Sequence, residues 1–208
     1  MIKKILGTFL IILVSIMIAI TTTNKFISFL ILSSGILNIW FAILNSNYNY
    51  IFGSLFYLLN AYISYVNGLY GIAFLSLFVY FPLQIDGFIR WKEEIPIKKL
   101  PYKLNICIII SLITSSIGLS LLLHKIPTQS LAYLDASSNI SNICGIILMN
   151  LKYQEAWSVW LINNVIDLII WITKSITHSP SGSTLLIVSI GYLLMNIYGL
   201  IKWKKLNI

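Results

Sequence analysis

Long, unbroken apolar runs separated by short clusters of Asn, Gly, Pro and charged residues set the layout of this chain. The runs fall at 5–23, 26–45, 50–66, 69–89, 104–123, 131–151, 157–173 and 183–201. Each approaches the roughly 20 residues that a helix needs to cross a ~30 Å hydrocarbon layer. They are too long and too continuous for strands. Thr21-Thr22-Thr23-Asn24 closes the first run, Asn47-Tyr48-Asn49 the second and Asn67-Gly68 the third. Lys92-Glu93-Glu94 through Lys103, with Pro96 and Pro101, forms one substantial loop, and Ser179-Pro180-Ser181-Gly182 separates the last two runs. The pattern predicts an all-α integral membrane protein with eight transmembrane helices. Pro82, inside the fourth run, predicts a kink or hinge there. Met1-Ile2-Lys3-Lys4 and the apolar run behind it have the outline of a signal peptide. Ile18-Ala19-Ile20-Thr21 is a poor cleavage site, so a retained helix is expected.

Composition narrows the function classes. Of 208 residues, 58% are hydrophobic and 10% charged, against roughly 25% charged in an average soluble domain. So few charges cannot cover a soluble surface, and a water-soluble enzyme is excluded. The net charge of +8 does not point to nucleic acid, because the 14 basic residues form no patch and sit between apolar runs. No paired acids at catalytic spacing, nucleophile–base pair or Cys/His ligand spacing occurs, so neither an enzyme nor a metal or other cofactor is expected. Cys107 and Cys144 read as small core hydrophobes without a disulfide.

The basic residues also orient the chain. With a cytoplasmic N-terminus, Lys3, Lys4, Arg90, Lys92, Lys98, Lys99, Lys103, Lys152, Lys202, Lys204 and Lys205 lie inside. Only Lys25, Lys125 and Lys174 lie outside. Both termini of a multi-pass membrane protein are therefore expected in the cytoplasm.

The chain contains a repeat. Tyr50, Gly53, Tyr57 and Asn60 share the spacing of Trp157, Trp160, Asn164 and Asp167. Tyr80, Gln84, Gly87 and Trp91 share that of Tyr192, Asn196, Gly199 and Trp203. Ser33-Ser34 and Ile140-Ser141 fall in the same register. Runs 2–4 and 6–8 thus read as two three-helix units, and the run between them restores the direction of the second unit, so the repeats are parallel. The expected organisation is an N-terminal helix (1–25), a first three-helix bundle (26–91), a cytoplasmic loop and linker helix (92–130) and a second bundle (131–205).

Spacings of three and four put side chains on one helix face. Trp157, Trp160, Asn164 and Asp167 form such a face, with Asn164 and Asp167 near mid-membrane. Tyr57 and Asn60 form the matching face of the third run. Tyr80 and Gln84 in the fourth run correspond to Tyr192 and Asn196 in the eighth. Polar groups at this depth are expensive and normally face a bundle interior. These ten residues are the candidate substrate-binding set. Asp167 is the one acid at mid-span on this face, suited to a cationic substrate or to gating. Gly53, which faces Trp160 in repeat register, leaves space for a ring. Asn163 reads as packing glue between helices. Trp91, Trp203 and Trp171 read as interface anchors, and Asp86 and Arg90 as an ion pair. Glu155 reads as an acid at a helix start, and His124 and His178 as solvated.

At these residues the chain resembles the nicotinamide riboside transporter family, PnuC. The resemblance covers about residues 26–204. It rests on Asn49-Tyr50-x-x-Gly53, on Lys152-Tyr153-x-Glu155-x-Trp157-x-x-Trp160-x-x-x-Asn164 and on Tyr198-Gly199-x-x-x-Trp203. It implies a fold related to the SWEET sugar transporters, a homotrimer, and facilitated diffusion of nicotinamide riboside, a vitamin B3 precursor for NAD biosynthesis. It also implies trapping of the substrate through phosphorylation by a cytosolic riboside kinase, and a substrate path lined by Trp157, Trp160 and Asn164. Asp86-Gly87 and Ser76 depart from the family pattern, and a same-fold carrier of thiamine or another vitamin stays open. The physics is compatible with either cation: tryptophan faces attract a pyridinium by about 1–2 kcal/mol when desolvated, and amides can bond hydroxyls and a carboxamide.

Overall fold

The computed structural model describes residues 2–22, 24–91, 96–179 and 181–206. Thr23, the Lys92-Glu93-Glu94 stretch, Pro180 and the side chains of Lys3 and Lys4 lie outside the described residues. Eight helices account for most of the chain. They are α1 (Ile2–Ile20), α2 (Lys25–Ile43), α3 (Tyr48–Val66), α4 (Tyr70–Arg90), α5 (Tyr102–Leu123), α6 (Ala132–Asn150), α7 (Ala156–Ile176) and α8 (Gly182–Leu206). Each coincides with one predicted run to within a few residues.

Helices α2, α4, α5, α7 and α8 are long and apolar enough to cross a membrane on composition alone. Helices α3 and α6 are more polar, and their polar side chains are turned inward. Asn49, Asn60 and Ser64 on α3, and Asp135, Ser138 and Asn139 on α6, are all buried. Lipid offers such groups no partners, so they are tolerated only where other helices cover them.

Six helices close into a ring. Going round it, α2, α3, α4, α6, α7 and α8 each contact the next, and α8 returns to α2. Helix α1 packs outside α2, and α5 packs outside α6. Ile109, Ile110, Ile113 and Ile117 on α5 are exposed, as a lipid-facing helix requires. By crossing back, α5 lets α6 start at the same end as α2.

Two seams complete the ring, and both are bonded at the helix starts. At the α4–α6 seam, Asp135 accepts the backbone N–H groups of Gly71 (3.1 Å) and Ile72 (2.9 Å) in the first turn of α4. A carboxylate there complements the free donors and the positive end of the helix. The Asn139 amide (2.6 Å) and the Gln129 amide also donate to Asp135. At the α2–α8 seam, the hydroxyls of Ser28 and Thr184 meet at 3.2 Å. In the register that pairs Ser34 with Ser141, Ser28 corresponds to Asp135.

The opposite end of the ring is closed by aromatic residues packed twice in the same way. Tyr50 on α3 fills the space beside Gly87 of α4 and meets Trp91 edge-on, with ring centroids 5.1 Å apart. Trp157 on α7 fills the space beside Gly199 of α8 and meets Trp203 edge-on at 5.6 Å. Trp91 and Trp203 then approach each other at 6.2 Å. Trp91 and Trp203 are therefore not interface anchors: both are buried, and the Trp91 indole N–H donates to the Met149 carbonyl at 3.2 Å. Their span-end position is the same for an anchor or a plug, but glycines on the neighbouring turns draw the aromatic partners in. Asp86 and Arg90 form the expected ion pair at 2.8 Å, on a half-exposed face.

Helix α4 widens midway. Its α-helical turns Tyr70–Leu75 and Phe81–Arg90 flank a π-helical turn at Ser76–Tyr80. The Phe81 amide bonds back to Ser76, five residues away. Pro82 explains the widening: it has no N–H to give, and its ring crowds the carbonyl four residues earlier. The relaxed ladder re-aims the residues ahead of it, and Tyr80 is the residue that ends up pointing into the ring.

Candidate functional site

The ring surrounds a cavity whose empty space, about 720 Å³, includes a part open to solvent. All six ring helices contribute walls, while α1 and α5 contribute none. Helix α7 supplies most of the chemistry: Trp160, Asn163, Asn164, Asp167 and Trp171, spaced by three and four along one face. Tyr57 and Asn60 face them from α3, Tyr80 from α4, and Tyr192 and Asn196 from α8.

Among the described residues Asp167 is the single carboxylate in this wall, and no Lys, Arg or His lines the cavity. Its two oxygens are held separately: the Ser138 hydroxyl donates to one, and the Asn163 amide donates to the other at 2.9 Å. The Asn163 oxygen in turn accepts the Ser141 hydroxyl at 2.9 Å. Asn163 is thus a strut that orients the carboxylate as well as packing between α6 and α7. Neutral donors satisfy the oxygens without neutralising the charge, which leaves it available to a cation in the cavity.

A second polar chain runs along the α4–α6 seam. The Tyr80 hydroxyl donates to the Asn139 side-chain oxygen, and the Asn139 amide donates to Asp135. This links the cavity wall to the start of α4. The Tyr57 hydroxyl donates to the Asn142 oxygen at 3.3 Å. Tyr57 and Tyr80 lie ring to ring at 5.0 Å, and Phe56 and Tyr192 at 5.7 Å. In contrast, the Asn164 amide nitrogen, both polar atoms of the Asn196 amide and the Tyr192 hydroxyl are buried without a hydrogen-bond partner among the described residues. These groups lie on α7 and α8, at the wall opposite the satisfied network, and are unspent donors and acceptors for a bound molecule.

Of the ten candidate residues, eight line the cavity: Trp160, Asn164, Asp167, Tyr57, Asn60, Tyr80, Tyr192 and Asn196. Trp157 does not. It is fully buried in the aromatic closure beside Gly199, one turn nearer the ring's end. Gln84 lines a smaller chamber, with room for about one water, on that same side, together with Asn49, Tyr50 and Asn150. The space beside Gly53 is taken by Gln84 and Asn38, while Trp160 lies against Gly145. Trp171 is a buried cavity residue and not an interface anchor. Asn38, Ser138, Asn142 and Ser189 also line the cavity and were not among the candidates. For α6 a signal existed: Asp135, Ser138, Asn139 and Asn142 repeat at three-, one- and three-residue steps on one face of an otherwise apolar run. At the end away from the tryptophans, the buried Lys174 ammonium donates to the Asn67 carbonyl and ties the end of α7 to the α3–α4 turn. Among the described residues no group of three His, Cys, Asp or Glu could hold a metal ion.

Comparison with known proteins places this geometry. The family model described as nicotinamide mononucleotide transporter matches residues 25–205. The nicotinamide riboside transporter PnuC of Neisseria mucosa is 31% identical over 170 residues, covering 76% of this chain and 64% of that protein. The chain thus spans a little under two thirds of that relative's length. The protein of the same description from Haemophilus influenzae is 28% identical over 193 residues, covering 86% of this chain and 80% of that one. The crystal structure of the vitamin B3 transporter PnuC superposes with a TM-score of 0.85 at 25% identity, covering 98% of this chain and 91% of that chain.

Proposed function

Because the chain belongs to the nicotinamide mononucleotide transporter family, we propose that it carries nicotinamide riboside across a bacterial inner membrane by facilitated diffusion, through the cavity enclosed by the six-helix ring. The observation that supports this most directly is the cavity's chemistry: one carboxylate, aromatic faces and unspent amides. Nicotinamide riboside is a pyridinium cation with a carboxamide and a hydroxylated sugar. Asp167 meets the cation, Trp160 and Trp171 offer ring faces, and Asn164, Asn196 and Tyr192 offer hydrogen bonds to the sugar and carboxamide. Trp157 supports the site from behind.

The same chemistry favours the riboside over its phosphorylated form. Among the described residues no basic side chain lines the cavity. A phosphate there would be desolvated without a counter-charge and would face Asp167, a combination that costs several kcal/mol. The lysine asymmetry supports cytoplasmic termini. Substrate then enters past the Asn67–Lys174 end and leaves toward the tryptophan end. An inside-negative potential favours a cation moving inward by about 2.3 kcal/mol per 100 mV. Phosphorylation by a cytosolic riboside kinase would keep the product inside, and the exposed apolar faces suit lipid contact and packing in a homotrimer.

Purified protein in liposomes should exchange labelled nicotinamide riboside, and Trp160→Ala should abolish exchange. Undiminished exchange in that variant would remove Trp160 from the site. A thermal-shift comparison of nicotinamide riboside, thiamine and riboflavin identifies the substrate. Stabilisation by thiamine alone would transfer the assignment to that vitamin, whose ring is also cationic.

A further inference from the structure

We propose that the smaller chamber is a second station on the substrate path, a compartment that receives the hydrogen-bond-donating end of the substrate after it leaves the main cavity. The proposal rests on the transport reading above.

Position is the first argument. Asn38, Tyr57 and Trp160 line both spaces, so the chamber is separated from the main cavity by side chains alone. It lies between the cavity and the closure formed by Tyr50 and Trp91. A molecule moving from the cavity toward that end meets the chamber next.

Unspent polarity is the second argument. The side-chain oxygens of Asn49, Gln84 and Asn150 have no hydrogen-bond partner among the described residues, and each of these residues is 2–3% exposed. Buried polar atoms are nearly always paired in folded proteins. Three amide oxygens and the equally unpartnered Tyr50 hydroxyl gather round one small space and call for a group that both donates and accepts. Among the described residues no acidic or basic side chain lines the chamber. Its complement is therefore a neutral group of that kind, such as a carboxamide or a sugar hydroxyl, with water in that place between turnovers. As it stands the chamber has room for about one water, so a substrate end enters only when the side chains around it give way.

The repeat supplies the third argument. Trp160 corresponds in register to Gly53, and Asn38 corresponds to Gly145. In the second half, an indole fills the space beside a glycine. In the first half, the glycine stands where the indole would be, and the space admits only the amides of Gln84 and Asn38. The departure from symmetry has left a polar chamber on one side of the axis. Trp160 is the wall that must yield for the two spaces to join.

The test uses the full chain in sealed vesicles. In a Cys107→Ser, Cys144→Ser background, Gln84→Cys should react with a small charged thiol reagent added at the face bearing Trp91 and Trp203. Absence of reaction from that face would overturn the proposal whatever the substrate. In parallel, Gln84→Leu should retain the melting temperature and bind nicotinamide riboside within about threefold of wild type, yet exchange it about tenfold more slowly, with Gln84→Asn restoring most of the rate. Unchanged exchange would make the chamber a structural water pocket, and an equal loss of binding and exchange would merge it with the first site. Either result overturns the second station. If the unsubstituted protein fails to exchange nicotinamide riboside, the transport reading falls, and the thiol reaction alone decides on the chamber.

Discussion

Asp167 carries one negative charge in a wall otherwise made of rings and neutral amides, held by Ser138 and Asn163. At an effective dielectric constant near 20, two unit charges ~4 Å apart attract by roughly 4 kcal/mol, and desolvation removes part of this. Asp167→Asn keeps the shape and removes the charge. Its binding of nicotinamide riboside, measured by titration calorimetry, should weaken by about tenfold or more, the equivalent of ~1.4 kcal/mol. A neutral nucleoside should not show that loss. Gly199→Ala places a methyl group in the indole of Trp157. Overpacking of this kind costs ~1–3 kcal/mol, so the melting temperature in detergent should fall by several degrees. Trp157 and Trp160 also show where residue-level reading reaches its limit. Both belong to one spacing pattern, yet one faces the cavity and the other plugs its end. The pattern places side chains on a helix face; which neighbour waits at each level depends on glycines in α6 and α8, far away in sequence.

At the scale of the helix, the eight runs were legible because lipid demands long apolar stretches, and the chain interrupts them only with Asn, Gly, Pro and charge. The fine structure of α4 was legible only as a proline. Pro82 announces a disturbance, but the π-helical turn at Ser76–Tyr80, and the direction it gives Tyr80, depend on how the freed carbonyls find new partners. Pro82→Ala restores a donor and allows the regular ladder to re-form. Transport should drop more than stability, because Tyr80 loses its aim at Asn139; paired exchange and melting measurements will separate the two. Asp135 is a different kind of element-scale residue. Four donors converge on it across the α4–α6 seam. Asp135→Asn turns one acceptor oxygen into a donor that faces other donors. With hydrogen bonds to charged groups worth ~1.5–3 kcal/mol each, the variant should lose several degrees of thermal stability even if it still binds substrate.

For the whole molecule, the repeat was visible as matched spacings, but its meaning was not. Matched spacings suggested two bundles facing each other across a path. Each half forms one arc of a single ring, and the first helix of each half bonds to the third helix of the other. Two of the matched pairs turned out to be copies of a closure, Tyr50 beside Gly87 and Trp157 beside Gly199, while in the cavity Tyr80 and Tyr192 are kept and other positions differ between the halves. Trp160 has Gly53 opposite it in register, and Asp167 has Asn60. Spacing alone records what the halves keep and not where they differ.

The α2–α8 seam has a consequence for synthesis. Helix α2 is made well before α8, so the bond between Ser28 and Thr184 must wait until the helices between them are inserted. Until then the face of α2 that carries Ser28 lacks the cover that α8 gives it. Ring closure therefore comes after all the helices between α2 and α8 are made, and a ribosome that stops before α8 releases a crescent with an open polar edge in the bilayer. Such an edge is a clear mark for membrane quality control, so truncated products should be cleared faster than the full chain in a pulse-chase experiment.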